Sequence, residues 1–163
     1  MSDIDELSAR LGEACRRSGL LVATAESCTG GGVGEAITRT AGASAWYDRG
    51  FVTYSNEAKV DLLGVRQETI GSHGAVSEAV AREMALGALH QSVADLAVAV
   101  TGVAGPDGGT AAKPVGLVWF AWAALDGEVR AKFEVFGGDR AAIRGQAVRE
   151  ALAGLVELAS REG

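Results

Sequence analysis

Two cysteines, Cys15 and Cys28, are all that the 163 residues contain, and they share no C-x-x-C spacing. That excludes a disulfide framework and a cysteine-built zinc site. Two histidines, His73 and His90, are too few for a polyhistidine metal centre. No resident metal or other cofactor is expected. Proline is equally scarce, at two residues, and no linker, internal repeat or low-complexity tract interrupts the chain. No run approaches the ~18 apolar residues of a membrane helix. The N-terminal MSDIDELSAR lacks an apolar stretch behind a basic start, so it does not read as a secretory signal. The expected location is the cytoplasm, with no membrane partner. Basic residues are outnumbered 15 to 21, for a net charge of -6. That balance argues against a nucleic-acid partner, which requires basic surface to displace counterions. It leaves room for a small anionic ligand, because one local cluster of Arg and Lys is enough.

What is present fits a globular protein: 48% hydrophobic and 22% charged residues. The length suits a single domain, residues 1–163, with a sizeable core. Glycine is abundant, at 23 residues. Where glycines cluster between apolar runs, they signal tight loops at which backbone approaches a ligand or another element. Three others, Gly87, Gly145 and Gly154, fall inside helical patterns.

The periodicity predicts a helix over 3–18, capped by Asp3, with Ile4, Leu7, Leu11 and Ala14 or Cys15 on one face and Gly19 as its stop. A strand over 20–24 runs into a polar loop and three glycines, then a helix to about residue 40. A second strand is expected over 51–54, and Asn56 is placed to cap a helix through 57–63 that ends at Gly64. Ser77 caps a longer helix with Val80, Met84 and Leu89 inward. The nearly all-apolar DLAVAVT, 95–101, reads as a strand buried on both faces. Residues 115–124 and 129–136 read as a hairpin around Asp126-Gly127. The last helix, 139–160, carries a stripe of Ile143, Ala147, Ala151 and Leu155. Early alternation of strands and helices with a late hairpin predicts an α/β domain of three layers, α/β/α, around a mixed sheet.

Three polar segments follow strands, and in such folds ligands bind at the carboxyl ends of strands. They are T-A-E-S-C-T-G-G at 24–31, Y-S-N-E-A-K at 54–59, and the loop from Thr101 to Gly109. The first loop lacks the G-K-[ST] of a phosphate loop and the G-x-G-x-x-G of a dinucleotide site. Its free backbone N–H groups at a helix start suit an anion or a developing oxyanion. Ser27, just before the glycines, is placed to attack a carbonyl held there. A serine nucleophile requires a base, and neither histidine lies in these loops. Lys59, with its pKa lowered by burial, would serve, with Tyr54 relaying the proton or bonding the oxyanion. Arg140 and Arg144, one turn apart, would grip a phosphate. Taken singly, each has an ordinary alternative: Ser27 or Thr29 as a helix cap, Lys59, Arg140 and Arg144 as solvated helix residues, Cys28 as a buried inert thiol. His73 reads as a loop residue and His90 as a surface residue.

These motifs, with G-A-V-S at 74–77 and K-P-V-G at 113–116, resemble the C-terminal domain of the bacterial competence/damage-inducible protein CinA. That domain also occurs alone as a nicotinamide-nucleotide amidohydrolase. The resemblance implies conversion of nicotinamide mononucleotide and water to nicotinic acid mononucleotide and ammonia, in pyridine nucleotide recycling. It implies Ser27 as nucleophile, Tyr54 and Lys59 assisting, and Thr101 in the site. Arg140 would take the phosphate, and Thr29, Gly30, Gly31, Asn56 and Gly102 would complete the substrate contacts. Larger CinA proteins carry a further N-terminal hydrolase domain, whose metal-dependent chemistry is not expected of this sequence. The alternative is a non-catalytic nucleotide-sensing or competence-linked interaction module. A homo-oligomer is expected if the apolar 115–124 strand, with Trp119 and Trp122, leaves a sheet edge or face to cover.

Overall fold

The computed structural model describes residues 2–162. In chain order the elements are α1 (Asp3–Ser18), β1 (Val22–Glu26), α2 (Gly32–Thr38), β2 (Tyr47–Val52), α3 (Asn56–Leu63), α4 (Gln67–His73), α5 (Glu78–His90), β3 (Leu96–Gly102), β4 (Leu117–Ala124), β5 (Val129–Val135) and α6 (Arg140–Glu162). The strands form one sheet in the order β2-β1-β3-β4-β5. β1 is parallel to β2 and β3, whereas β4 and β5 run antiparallel.

Side-chain alternation along the strands divides the core in two. On one face Leu96, Val98, Val100, Phe120 and Trp122 pack with residues of α1, α2 and α6. On the other Ala23, Ala25, Ala97, Ala99, Ala121 and Ala123 meet Val80, Met84 and Ala88 of α5. An alanine face lets α5 lie close, while the bulky face supports the larger helix layer. This is the three-layer α/β/α arrangement with a mixed sheet that the sequence pattern calls for.

Several helix ends differ from the sequence expectation, each for a local reason. α1 is capped by Ser2, whose hydroxyl accepts from the Asp5 N–H at 3.1 Å while the Asp5 carboxylate accepts from the Ser2 N–H. This reciprocal box takes the cap from Asp3. α3 is capped by Ser55, not Asn56. Ser55 has the extended backbone a cap requires and accepts from the Ala58 N–H at 3.0 Å, which leaves Asn56 as the first helical residue. Ser77 caps α5 as expected. β1 lies two residues later than the apolar run implies, because the polar Glu26 pairs in the ladder with Val52 and Val100. β2 begins at Tyr47, earlier than expected. It is an edge strand, and edge strands tolerate the polar Asp48-Arg49-Gly50 that disguises it. The short α4 has no marked apolar stripe, and it makes His73 a helix terminus rather than a loop residue. The hairpin turns at Asp126-Gly127, where Gly127 has φ 101° and the Asp126 carboxylate accepts from the Glu128 N–H.

Candidate active site

The parallel strands β2, β1 and β3 end side by side, and the three polar segments leave the sheet together there. Ser27 directly follows β1, and its N–H extends the ladder to the Val100 carbonyl at 3.0 Å. Thr53, just past β2, donates its N–H to the Glu26 carbonyl at 2.7 Å. Thr101 is the penultimate residue of β3. Between these ends lies a cleft of about 330 Å³ lined by Ser27, Cys28, Tyr54, Asn56, Lys59, Thr101, Gly102 and Arg140, among others. That volume falls at the small end of the range for small-molecule sites, about 300–1,000 Å³.

At the floor, Lys59 projects from the first turns of α3 and is 1% exposed. Its Nζ lies 3.1 Å from Ser27 Oγ, 2.9 Å from the Thr53 carbonyl and 3.3 Å from the Tyr54 carbonyl. Among the described residues no carboxylate is within ion-pair distance of it. Burial therefore holds the amine's pKa below its ordinary 10.5, against a smaller raising influence from Cys28. A neutral amine here has two N–H bonds for the surrounding carbonyls of Thr53, Tyr54 and, at 3.5 Å, Ser55, and one lone pair for the Ser27 proton. Such a group is a base for serine without histidine. Cys28, next to Ser27, has its thiol pushed up to about 11, chiefly by burial, so it stays protonated at neutral pH and is a poor nucleophile.

Tyr54 serves the site in two places. Its carbonyl lies beside Lys59 Nζ and, at 3.5 Å, Ser27 Oγ. Its side chain is 64% exposed, and its hydroxyl accepts from Arg140 Nη2 at 3.3 Å. The hydroxyl makes no hydrogen bond to Ser27 or Lys59 among the described residues, whereas Lys59 Nζ contacts Ser27 Oγ directly. Arg140, the first residue of α6, also donates Nη1 to the Gly105 carbonyl at 2.8 Å, which fixes the guanidinium at the rim. Thr101 is buried and donates its hydroxyl to the Ala75 carbonyl at 3.0 Å. That bond holds the 74–77 turn against the end of β3.

Three of the expected residues stand apart. Thr29, Gly30 and Gly31 do not line the cleft. Thr29 is buried and donates its hydroxyl to Glu26 Oε1 at 2.6 Å. The same carboxylate accepts from the N–H groups of Val33 and Gly34, at 2.9 and 3.0 Å. The N-terminus of α2 is thus filled by the chain's own anion. Gly30 and Gly31 have φ of 59° and 99°, which makes the turn from Ser27 into α2. Arg144 also leaves the rim: it donates Nε to the Cys28 carbonyl at 3.1 Å and Nη2 to the Thr29 carbonyl at 3.2 Å.

The cleft also takes in Ala75 and Val76, which sequence reasoning did not assign to the site, and Ala104, Gly105, Asp107 and Gly108, which it marked only as part of the 101–109 strand-end loop. The G-A-V-S and G-P-D-G-G motifs were the available signal, since each carries a run of small residues directly beside a strand end or a helix cap.

An α/β sheet with a serine, a buried lysine and an arginine converging at its parallel strand ends defines a hydrolase-type cleft. The chain belongs to the CinA C-terminal domain family, whose profile matches residues 4–159. It is 56% identical to nicotinamide-nucleotide amidohydrolase PncC of Escherichia coli strain K12 over 93% of this chain and 92% of that protein. With PncC of Pseudomonas putida it shares 54% identity over 97% and 98% of the two chains. The crystal structure of the competence/damage-inducible protein CihA from Agrobacterium tumefaciens superposes with a TM-score of 0.95 at 52% identity, covering 97% of this chain and 96% of that one.

Proposed function

We propose that this chain is a nicotinamide-nucleotide amidohydrolase that converts nicotinamide mononucleotide and water to nicotinic acid mononucleotide and ammonia. The observation that carries the reading is the buried Lys59 amine 3.1 Å from Ser27 Oγ at the floor of the cleft. The relatives named PncC, above 50% identical over nearly the whole chain, set the substrate class. The single sheet with helices on both faces serves as one catalytic domain.

Ser27 Oγ attacks the carboxamide carbon, and its proton passes to the neutral Lys59 amine. The tetrahedral oxyanion is held by backbone N–H groups of the loop after Ser27. The C–N bond breaks as Lys59 returns the proton to the leaving nitrogen, releasing ammonia and leaving an acyl ester on Ser27. Water attacks that ester and gives a proton to Lys59. The ester C–O bond breaks, Ser27 recovers its proton, and nicotinic acid mononucleotide departs. The Tyr54 carbonyl orients the lysine, and its ring walls the cleft. Arg140, with three N–H groups uncommitted, takes the phosphate. Thr101 and Gly102 shape the far wall, Asn56 faces the sugar, and Thr29, Gly30 and Gly31 support the nucleophile's turn. None of these steps calls on a metal or cofactor. No helix is long and apolar enough to cross a membrane among the described residues, and we assign the protein to the cytoplasm with a free nucleotide as its substrate.

The test is ammonia release from nicotinamide mononucleotide by purified protein with a chelator present, beside Ser27→Ala. Turnover that survives the chelator and falls by several orders of magnitude in the variant supports the reading. Wild-type-like turnover by Ser27→Ala overturns the mechanism.

A further inference from the structure

Arg144 reaches across 116 positions in sequence to grip the carbonyls of Cys28 and Thr29, the two residues that follow the nucleophile. A trans peptide points its N–H opposite to its C=O. A cation on the Cys28 carbonyl therefore directs the Thr29 N–H away from Arg144 and polarises it as a donor. The preceding peptide is held in the same way: the Ser27 carbonyl accepts from the Gly30 N–H at 3.0 Å, which orients the Cys28 N–H. The Thr29 N–H donates to no backbone acceptor, and the Cys28 N–H is engaged by its own thiol alone among the described residues. Two consecutive, pre-oriented donors directly after the nucleophile, free of any other residue's backbone acceptor, have the makings of an oxyanion hole: Cys28 lines the cleft, and Thr29, whose side chain turns away from it, offers only its backbone.

We propose that Arg144 is a positioning residue that builds this oxyanion hole by holding the Cys28–Thr29 backbone, and that it is not a phosphate ligand. The inference rests on the amidohydrolase reading for its substrate and on the geometry of the loop for its mechanism. Gly30 leaves room for the clamp: a Cβ there would sit 3.3 Å from Arg144 Nη2, on a backbone with φ 59°. Glu26 anchors the other end of the loop through Thr29 and α2. The turn after Ser27 is thus held from both sides, by a carboxylate on the Thr29 hydroxyl and the first N–H groups of α2, and by a guanidinium on the Cys28 and Thr29 carbonyls.

The experiment compares wild type, Arg144→Gln and Arg144→Lys in two assays. One is steady-state ammonia release from nicotinamide mononucleotide. The other is the rate at which a fluorophosphonate labels Ser27, located by peptide mass spectrometry. In that labelling the Ser27 Oγ–P bond forms, the P–F bond breaks, fluoride leaves and Lys59 takes the serine proton. The phosphonyl oxygen occupies the same hole, so labelling reads it without the nucleotide. Arg144→Gln is expected to lower kcat and the labelling rate together by at least ~10-fold with KM nearly unchanged. Arg144→Lys recovers part of both, since one ammonium reaches one carbonyl. Unchanged kcat and labelling in Arg144→Gln overturn the inference, as does a raised KM with both rates intact, the result for a phosphate ligand. Loss of far-UV circular dichroism at assay temperature in both variants also overturns it, in favour of a purely structural role. A wild type that labels without releasing ammonia defeats the amidohydrolase reading alone and leaves Arg144 to be judged on labelling. A wild type that does neither defeats both.

Discussion

Lys59 illustrates how little a residue's identity says without its surroundings. As a letter it is an exposed helix residue. In the fold it is buried, with carbonyls and a serine for company and no carboxylate. Its depressed pKa has a sign that can be worked through. Above the folded-state value the amine is neutral and can accept the serine proton, so kcat/KM is expected to rise with pH through an ionisation below 10.5 and then level off. The same shift makes the unfolded chain bind more protons between the two values, so stability also rises with pH across that window. A pH–rate profile beside denaturant melts checks both, and Lys59→Met should abolish the activity and flatten the stability trend. Cys28 gives the complementary case. Its thiol, pushed up to about 11 and buried, is expected to resist iodoacetamide at neutral pH, and Cys28→Ala should keep turnover within about threefold. Inactivation by the alkylating agent, or a dead alanine variant, would assign the chemistry to the wrong side chain.

At the scale of elements, three helical glycines that look alike in the sequence have different reasons to be there. A Cβ on Gly87 would run into the Leu63 carbonyl, where the end of α3 lies against α5. A Cβ on Gly154 would strike the Trp122 indole, whose N–H is committed to the Ala151 carbonyl at 3.0 Å. Gly145 has nothing within 4 Å of that position. Alanine at Gly145 is therefore expected to stabilise by about 0.5–1 kcal/mol through helix propensity. Gly87→Ala should cost about 1–3 kcal/mol or more, because backbone must shift to admit the methyl. Chemical denaturation of the two variants gives opposite signs if the packing is as described. The helix starts make a similar point. The glycine-rich entry to α2 is the anion site that the local sequence suggests, but its anion is Glu26, seven and eight residues before the N–H groups it satisfies.

For the molecule as a whole, β5 ends the sheet with one open edge, and its α5 side carries exposed Phe133 and Val135 beside Trp119, 5.1 Å from Phe133 between ring centroids. Trp122, by contrast, is core. We propose that this edge and face pair with a second copy, consistent with an apolar surface that a lone chain leaves in water. Sedimentation equilibrium should find a dimer or larger, and Phe133→Lys should shift it toward monomer while turnover per chain persists. A wild-type monomer at assay concentration would remove the proposal. The acidic net charge of -6 makes salt-sensitive retention of this protein by DNA an unexpected result.

The sequence by itself determined the class of fold, most elements and the three strand-end segments, because periodicity, caps and turn glycines are local. It named Ser27, Tyr54, Lys59, Thr101 and Arg140 through motifs, and these meet in one cleft. Spacing alone could not separate Arg140 from Arg144, which share a helix face, because their partners lie in loops 35 and 116 positions away; only the family resemblance singled out Arg140. Nor could the sequence place Thr29, Gly30 and Gly31 behind the nucleophile rather than in the cleft, or find the polar edge strand β2 and the short α4. Those were decided by tertiary structure, since desolvation, ion capture and close approach depend on which distant atoms fill the space around a side chain.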